Sequence, residues 1–130
     1  MHINEINALY ATKNWQEGML EAKNFIEKCE KDSPFYPRSG RPKGYYYAGT
    51  GALFGNKDAD QCLSYMNRII SEEKESSQWV SFAYLKRGQA YDVLGKRDLA
   101  KADYKTVLSR KDVWGSHKDA AKSLKHPFSL

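Results

Sequence analysis

The 130 residues include only two cysteines, Cys29 and Cys62, and neither has a close-spaced partner. That excludes a disulfide framework and a cysteine zinc site. Histidine is equally scarce. His2, His117 and His126 are scattered, and no carboxylate pair or Ser/Cys–His arrangement converges around them. The chain has no spacing that suits an acid–base pair or an activated nucleophile, so no catalytic residue, metal or cofactor is expected. No apolar run approaches the roughly 20 residues that a membrane helix needs, so no membrane insertion is expected. MHINEINALY lacks a basic head followed by an apolar core. No signal peptide is expected, and a reducing, cytoplasmic setting is favoured. Nothing alternates with period two, which argues against a sheet.

What is present is an ordinary globular composition, 41% hydrophobic and 28% charged, in a chain long enough for one domain with a usable core. The net charge of +5 is a modest excess that permits acidic partners without requiring them.

Three residue sets recur with one spacing: Gly18, Ala22, Phe25, Ile26; Cys62, Met66, Ile69, Ile70; and Ala100, Tyr104, Val107, Leu108. Each is i, i+4, i+7, i+8, one stripe of an α-helix that begins small and ends bulky. The small residue lets a neighbouring helix approach, and the bulky ones fill the space beyond the crossing. The sets lie 44 and then 38 residues apart, a period that belongs to stacked helical hairpins, whose units cannot bury their apolar faces alone.

The helices follow from local signals. A first helix is expected near 3–12, and Asn14 with Glu17 reads as a capping pair opening a second that runs to about 31. The segment SPFYPRSGRPKG holds three of the four prolines and reads as the one long loop, 32–43. A third helix spans 44–55 and stops near Gly55–Asn56. Asp58 with Gln61 opens a fourth that ends near 72. The fifth covers 77–94 and stops at Gly95, and the sixth covers 97–110. Ser116 with Asp119 caps a last helix, 116–126, halted before Pro127. The single domain 1–130 thus reads as hairpins 3–31, 44–72 and 77–110 with a capping helix, and Trp114 as a staple of that helix onto the third hairpin.

Tyr84, Arg87, Gly88 and Tyr91, followed by Ala100 and Tyr104, resemble the tetratricopeptide repeat signature W-x2-L-G-x2-Y…A-x3-F, with Tyr84 for tryptophan and Arg87 for leucine. The first hairpin is similar in Asn7-Ala8-Leu9-Tyr10 and Asn14-Trp15-Gln16-Glu17-Gly18; in the second, Gly49 fits and one residue is inserted before Cys62. The resemblance implies an all-α fold of three antiparallel hairpins stacked as a right-handed superhelix, with the last helix as solvating cap. It also implies a concave face that binds a peptide segment or helix of a protein partner. By that geometry the face presents Asn7 and Tyr10, then Tyr47, Thr50 and Phe54, then Lys86, Gln89 and Val93. The expected role is a scaffold without catalytic activity; self-association is left open.

One version of the family grips acidic chaperone tails with a clamp of Lys, Arg and Asn. Asn7 and Lys86 match it, but Ile3, Tyr47 and Phe82 replace the rest, so that role is not expected. Arg38, Arg41 and Lys43 flank Gly40 and Pro42 in a sequence like an AT-hook, whose extended backbone carries arginine into a narrow minor groove. A nucleic-acid-associated role through loop 38–43 is therefore the alternative, disfavoured because the match is short and single. The glycines of GTGALFG lack the preceding strand and the lysine of a phosphate loop, and read as helix packing. Asp58 and Asp60 lack the further ligands of a calcium loop.

Overall fold

The computed structural model describes residues 2–130, with side chains from Asn4 onward, so Ile3 lies outside the described side chains. Among the described residues the chain is all-helical: α1 (His2–Ala11), α2 (Trp15–Glu30), a short 3-10 turn (Arg38–Gly40), α3 (Arg41–Asn56), α4 (Ala59–Glu72), α5 (Gln78–Val93), α6 (Arg97–Ser109) and α7 (Ser116–Lys125). No strand occurs among those residues.

The boundaries of α4 and α5 are set by local devices, of which Asp58 and Gly95 are the expected ones. The Asp58 carboxylate accepts the Gln61 N–H at 3.0 Å, and the Ser77 hydroxyl oxygen accepts the Trp79 N–H at 3.2 Å. Each satisfies one of the orphan donors of a first helical turn. Gly95, at φ 76°, supplies the left-handed residue that ends α5.

Three helix ends are built otherwise than expected. The Asn14 side-chain amide donates to the Thr12 hydroxyl at 2.8 Å instead of capping α2. There the turn is made by Lys13 at φ 61°. Helix α3 starts at Arg41, because a proline in the first turn costs no hydrogen bond and Pro42 stands there; the loop is shorter than 32–43. That helix ends at Asn56, where the Gly55–Asn56 stop is expected, and Lys57 after it is left-handed at φ 53°. Finally, α7 is capped from outside: the Asp112 carboxylate accepts the His117 N–H at 3.0 Å. The reason is the turn at Trp114 (φ 51°) and Gly115 (φ 78°), which swings Asp112 back over the helix start. Ser116 instead accepts the Val113 N–H at 3.1 Å.

Each helix packs on its neighbours in the chain, from α1 on α2 through α6 on α7. The three stripes face inward: Gly18, Ala22, Phe25 and Ile26 are buried, as are Cys62, Met66 and Ile69, and Ala100, Tyr104 and Val107, with Ile70 and Leu108 half-buried. Burying each large member stabilises the fold by about 1.5–3 kcal/mol. Glycines let the helices close up: a Cβ on Gly44 would lie 2.6 Å from Ile26, and one on Gly88 would lie 2.6 Å from the Tyr104 ring. Odd-numbered helices also touch one another, α3 with α5 and α5 with α7; no two even-numbered helices pack comparably among the described residues. Helices α3, α5 and α7 therefore form a shared layer, and that layer carries the side chains of interest.

Candidate functional site

Along α5 the residues Trp79, Phe82, Lys86, Gln89 and Val93 fall at helical spacing and make one stripe. Tyr46, Tyr47 and Phe54 of α3 lie against it. At the start of α5 the aromatics converge. Tyr46 has ring centroids 5.8 Å from Trp79 and 5.9 Å from Phe82, and Trp79 lies edge-on to Phe82 at 5.5 Å. These rings, with Tyr47, Gln78 and Trp114, line a cavity of about 300 Å³. Trp114 is 85% exposed, so it forms the rim of that cavity and does not staple α7 to the third hairpin. The left-handed turn at Trp114 and Gly115 points it outward.

Next along the stripe is Lys86, only 8% exposed. Its ammonium lies 5.0 Å from the Phe54 ring centroid and 5.8 Å from that of Tyr46. Two aromatic faces thus supply the electrostatic attraction that an ion pair supplies elsewhere, since no carboxylate lies within salt-bridge distance of it among the described residues. The same ammonium pulls against the burial that pushes the Cys62 thiol up to about 12; burial wins.

The far end of the stripe is occupied. Phe128, beyond α7, sets its ring edge-on to Phe54 at 5.9 Å, and its N–H donates to the Asp92 carboxylate at 3.0 Å. Asp92 is held by Arg97 at 2.9 Å and accepts the Tyr104 hydroxyl at 2.7 Å, so it is a fixed acceptor. Arg97 also donates to the Leu124 carbonyl, which makes it part of the frame.

The eight residues expected on the binding face divide. Tyr47, Phe54, Lys86 and Gln89 meet along the α3–α5 layer. Tyr47 lines the aromatic cavity; burial raises its pKa, offset in part by a hydrogen bond from Asn7, which is exposed beside it. Tyr10 is spent on packing: its hydroxyl donates to the Tyr47 carbonyl at 2.6 Å, its ring covers Gly18, and burial raises its pKa strongly. Thr50 donates to the Tyr46 carbonyl of its own helix at 2.7 Å, and Val93 packs on the core. Tyr46, Trp79, Phe82, Trp114 and Phe128 were not among the expected residues. Continuing the stripe of Lys86, Gln89 and Val93 back along α5 reaches Phe82 and Trp79, so periodicity carries that much. The places of Trp114 and Phe128 depend on tertiary turns.

Of the basic residues read as AT-hook-like, Arg41 and Lys43 stand in the first turn of α3 and Arg38 in the 3-10 turn, so the backbone is helical there and not extended. Arg38 donates to the Glu30 carbonyl at 3.2 Å, and Arg41 lies 3.6 Å from the Glu72 carboxylate. Only Lys43 is unengaged in this way, and it is exposed. A recess of about 800 Å³ at the start of α5 is lined by Ser77, Ser81, Arg110 and Lys111 among others. Arg110 is consumed there, donating to Ser81 and to the carbonyls of Glu75 and Ser77. No three His, Cys, Asp or Glu side chains among the described residues stand together as a metal site would need, and no described helix is long and apolar enough to cross a membrane.

Comparison with protein-family models, with curated proteins and with solved structures gives no match for this chain.

Proposed function

We propose that this chain is a protein-interaction module that binds a short segment of a partner along the α3–α5 layer, and that it works without catalysis. The observation that carries the reading is the aromatic cavity of Tyr46, Tyr47, Trp79, Phe82 and Trp114 beside the carboxylate-free cation of Lys86. An exposed tryptophan over an apolar recess is unfavourable in water and favourable in an interface. Buried aromatics and desolvated cations carry most of the energy of such contacts.

In this reading α1–α2, α3–α4 and α5–α6 are tetratricopeptide-like hairpins stacked in a right-handed superhelix, and α7 is the cap. The odd helices then line the concave side, as the succession of contacts α3–α5 and α5–α7 supports. Both thiols are free and buried, and burial raises their pKa. Unpaired cysteines suit a reducing compartment such as the cytoplasm, and thiols with raised pKa are poor nucleophiles.

The test is a titration of the captured partner against variants of the full chain. Trp114→Ala and Lys86→Met should each weaken binding by about 1–2 kcal/mol or more, with helix content unchanged by circular dichroism. Lys101→Ala and Lys105→Ala, exposed on α6, should change it by less than about 0.5 kcal/mol. Loss of affinity in the α6 pair alone moves the partner to the other side of the molecule and ends the proposal.

A further inference from the structure

The segment after α7 is itself seated on the proposed binding face. Helix α7 ends at Lys125, and His126 is extended at φ −132°, ψ 124°, the conformation that a following proline imposes. Pro127 then stiffens the chain, and Phe128 makes two contacts: its ring on Phe54 of α3, and its N–H on the Asp92 carboxylate of α5. An extended backbone held by one main-chain hydrogen bond, with an aromatic side chain in an aromatic recess, is how grooves grip peptide segments.

The fit is incomplete. The side-chain oxygen of Gln89 is buried with no hydrogen-bond partner among the described residues. Gln89 is also one of the residues, with Asp119, Lys122, Ser123, His126, Pro127, Phe128 and Ser129, that line a cavity of about 320 Å³. A buried acceptor left unpaired is costly, and the native segment does not satisfy it.

Resting on the function proposed above, we infer that residues 126–128 are a tethered stand-in for the ligand: the partner supplies an extended segment whose Pro–aromatic pair replaces Pro127 and Phe128 on Phe54 and Asp92. A ligand that repacks this cavity so that a donor reaches the Gln89 oxygen, which the tether leaves unpaired, has the advantage over it. The bound partner thus displaces the chain's own segment, whose occupancy lowers apparent affinity by the fraction of time the site is open.

The probe is an acetylated heptapeptide of residues 124–130, LKHPFSL, titrated by NMR into the full chain and into its Phe128→Ala variant. A short tether gives a millimolar effective concentration, so titration runs to several millimolar. The variant should bind the peptide saturably, with shifts centred on Phe54, Gln89 and Asp92, about tenfold more tightly than the unaltered chain. Phe54→Ala added to Phe128→Ala should remove binding, as should replacing the peptide's phenylalanine by alanine. Pro127→Gly, at an exposed position outside every helix, loosens the segment with no burial lost. It should move affinity the same way if Phe128→Ala disturbs the fold.

Equal binding to all chains, or no saturable binding to either released chain, overturns the inference. If that happens while the partner still responds to Trp114→Ala and Lys86→Met, only the stand-in falls. If the partner ignores those two as well, the binding face falls with it.

Discussion

The ring of Tyr104 fills the space that a side chain on Gly88 would need: a Cβ built on Gly88 would lie 2.6 Å from Cε1 of that ring. The ring has no easy retreat, because its hydroxyl is anchored on Asp92 at 2.7 Å. Gly88→Ala should therefore destabilise the chain by about 1–3 kcal/mol through overpacking, even though alanine gains about 1 kcal/mol of helix propensity over glycine. Urea unfolding of the two proteins checks it; an unchanged midpoint would mean that α5 and α6 are less closely packed than described.

Arg87 forks onto Asp103 with bonds of 2.9 and 2.8 Å. The hydrogen bonds to Asp103 hold its pKa above the usual arginine range. Asp103 is nearly fully buried while Arg87 keeps some solvent access, so screening trims the pair below a fully buried one. Arg87→Leu alone should cost about 1–3 kcal/mol, mostly by stranding the carboxylate. Arg87→Leu with Asp103→Leu should cost clearly less than the sum of the two single changes. A double-mutant cycle in urea reads the difference, and additivity would show that the fork is worth nothing.

Lys57 ends α3 in the left-handed conformation, φ 53°, and its side chain is exposed. Only glycine occupies that region without a Cβ penalty. Lys57→Gly should thus stabilise the chain by about 0.5–1 kcal/mol, the gain expected at a helix end of this kind. A melting temperature that falls instead would mean the lysine side chain makes a contact worth more than the strain.

The buried thiol and phenols make the fold sensitive to alkali. Burial lifts Cys62 from an ordinary 9.0 to about 12, and Tyr10 and Tyr104 also move up, chiefly through burial. A raised pKa means that the folded state prefers the neutral form. Its contribution is complete below pH 9.0, the ordinary thiol value, and for Cys62 is lost as the pH climbs through about 12. Stability measured in urea should accordingly decline above pH 9. Tyrosinate absorbance from the buried rings should appear together with loss of helix. Alkylation of Cys62 by iodoacetamide at pH 8 should likewise need unfolding; fast labelling of the native chain would show the thiol to be accessible.

Local devices were legible in the sequence, and those that depend on distant parts of the chain were not. Asp58 and Gly95 fix helix ends with groups a few residues away, so the start of α4 and the end of α5 follow from reading along the chain; the Ser77 cap of α5 is equally local and was missed. Pro42 misleads because the same residue punctuates a loop and opens a helix; Arg41 and Lys43 become helical with it. On the candidate face the stripe Lys86, Gln89 and Val93 has a period that can be read. Phe54 meets Phe128 only because α7 turns the chain back across α5. Trp114 reads as a staple of α7 onto the third hairpin and lies open because the turn at Gly115 directs it outward.

Most helices here touch the next helix in the chain, an arrangement in which the last elements can peel away one at a time without disturbing the first. Phe128 changes that. By reaching past α5 to Phe54 it joins the final segment to α3, so opening of α7 must break a contact in the middle of the molecule. Amide exchange of α7 is then coupled to that of α3 and α5 rather than fraying by itself. A ligand that lifts Phe128 away would loosen the end of the chain as it binds, so its arrival at one face would be felt as mobility at another.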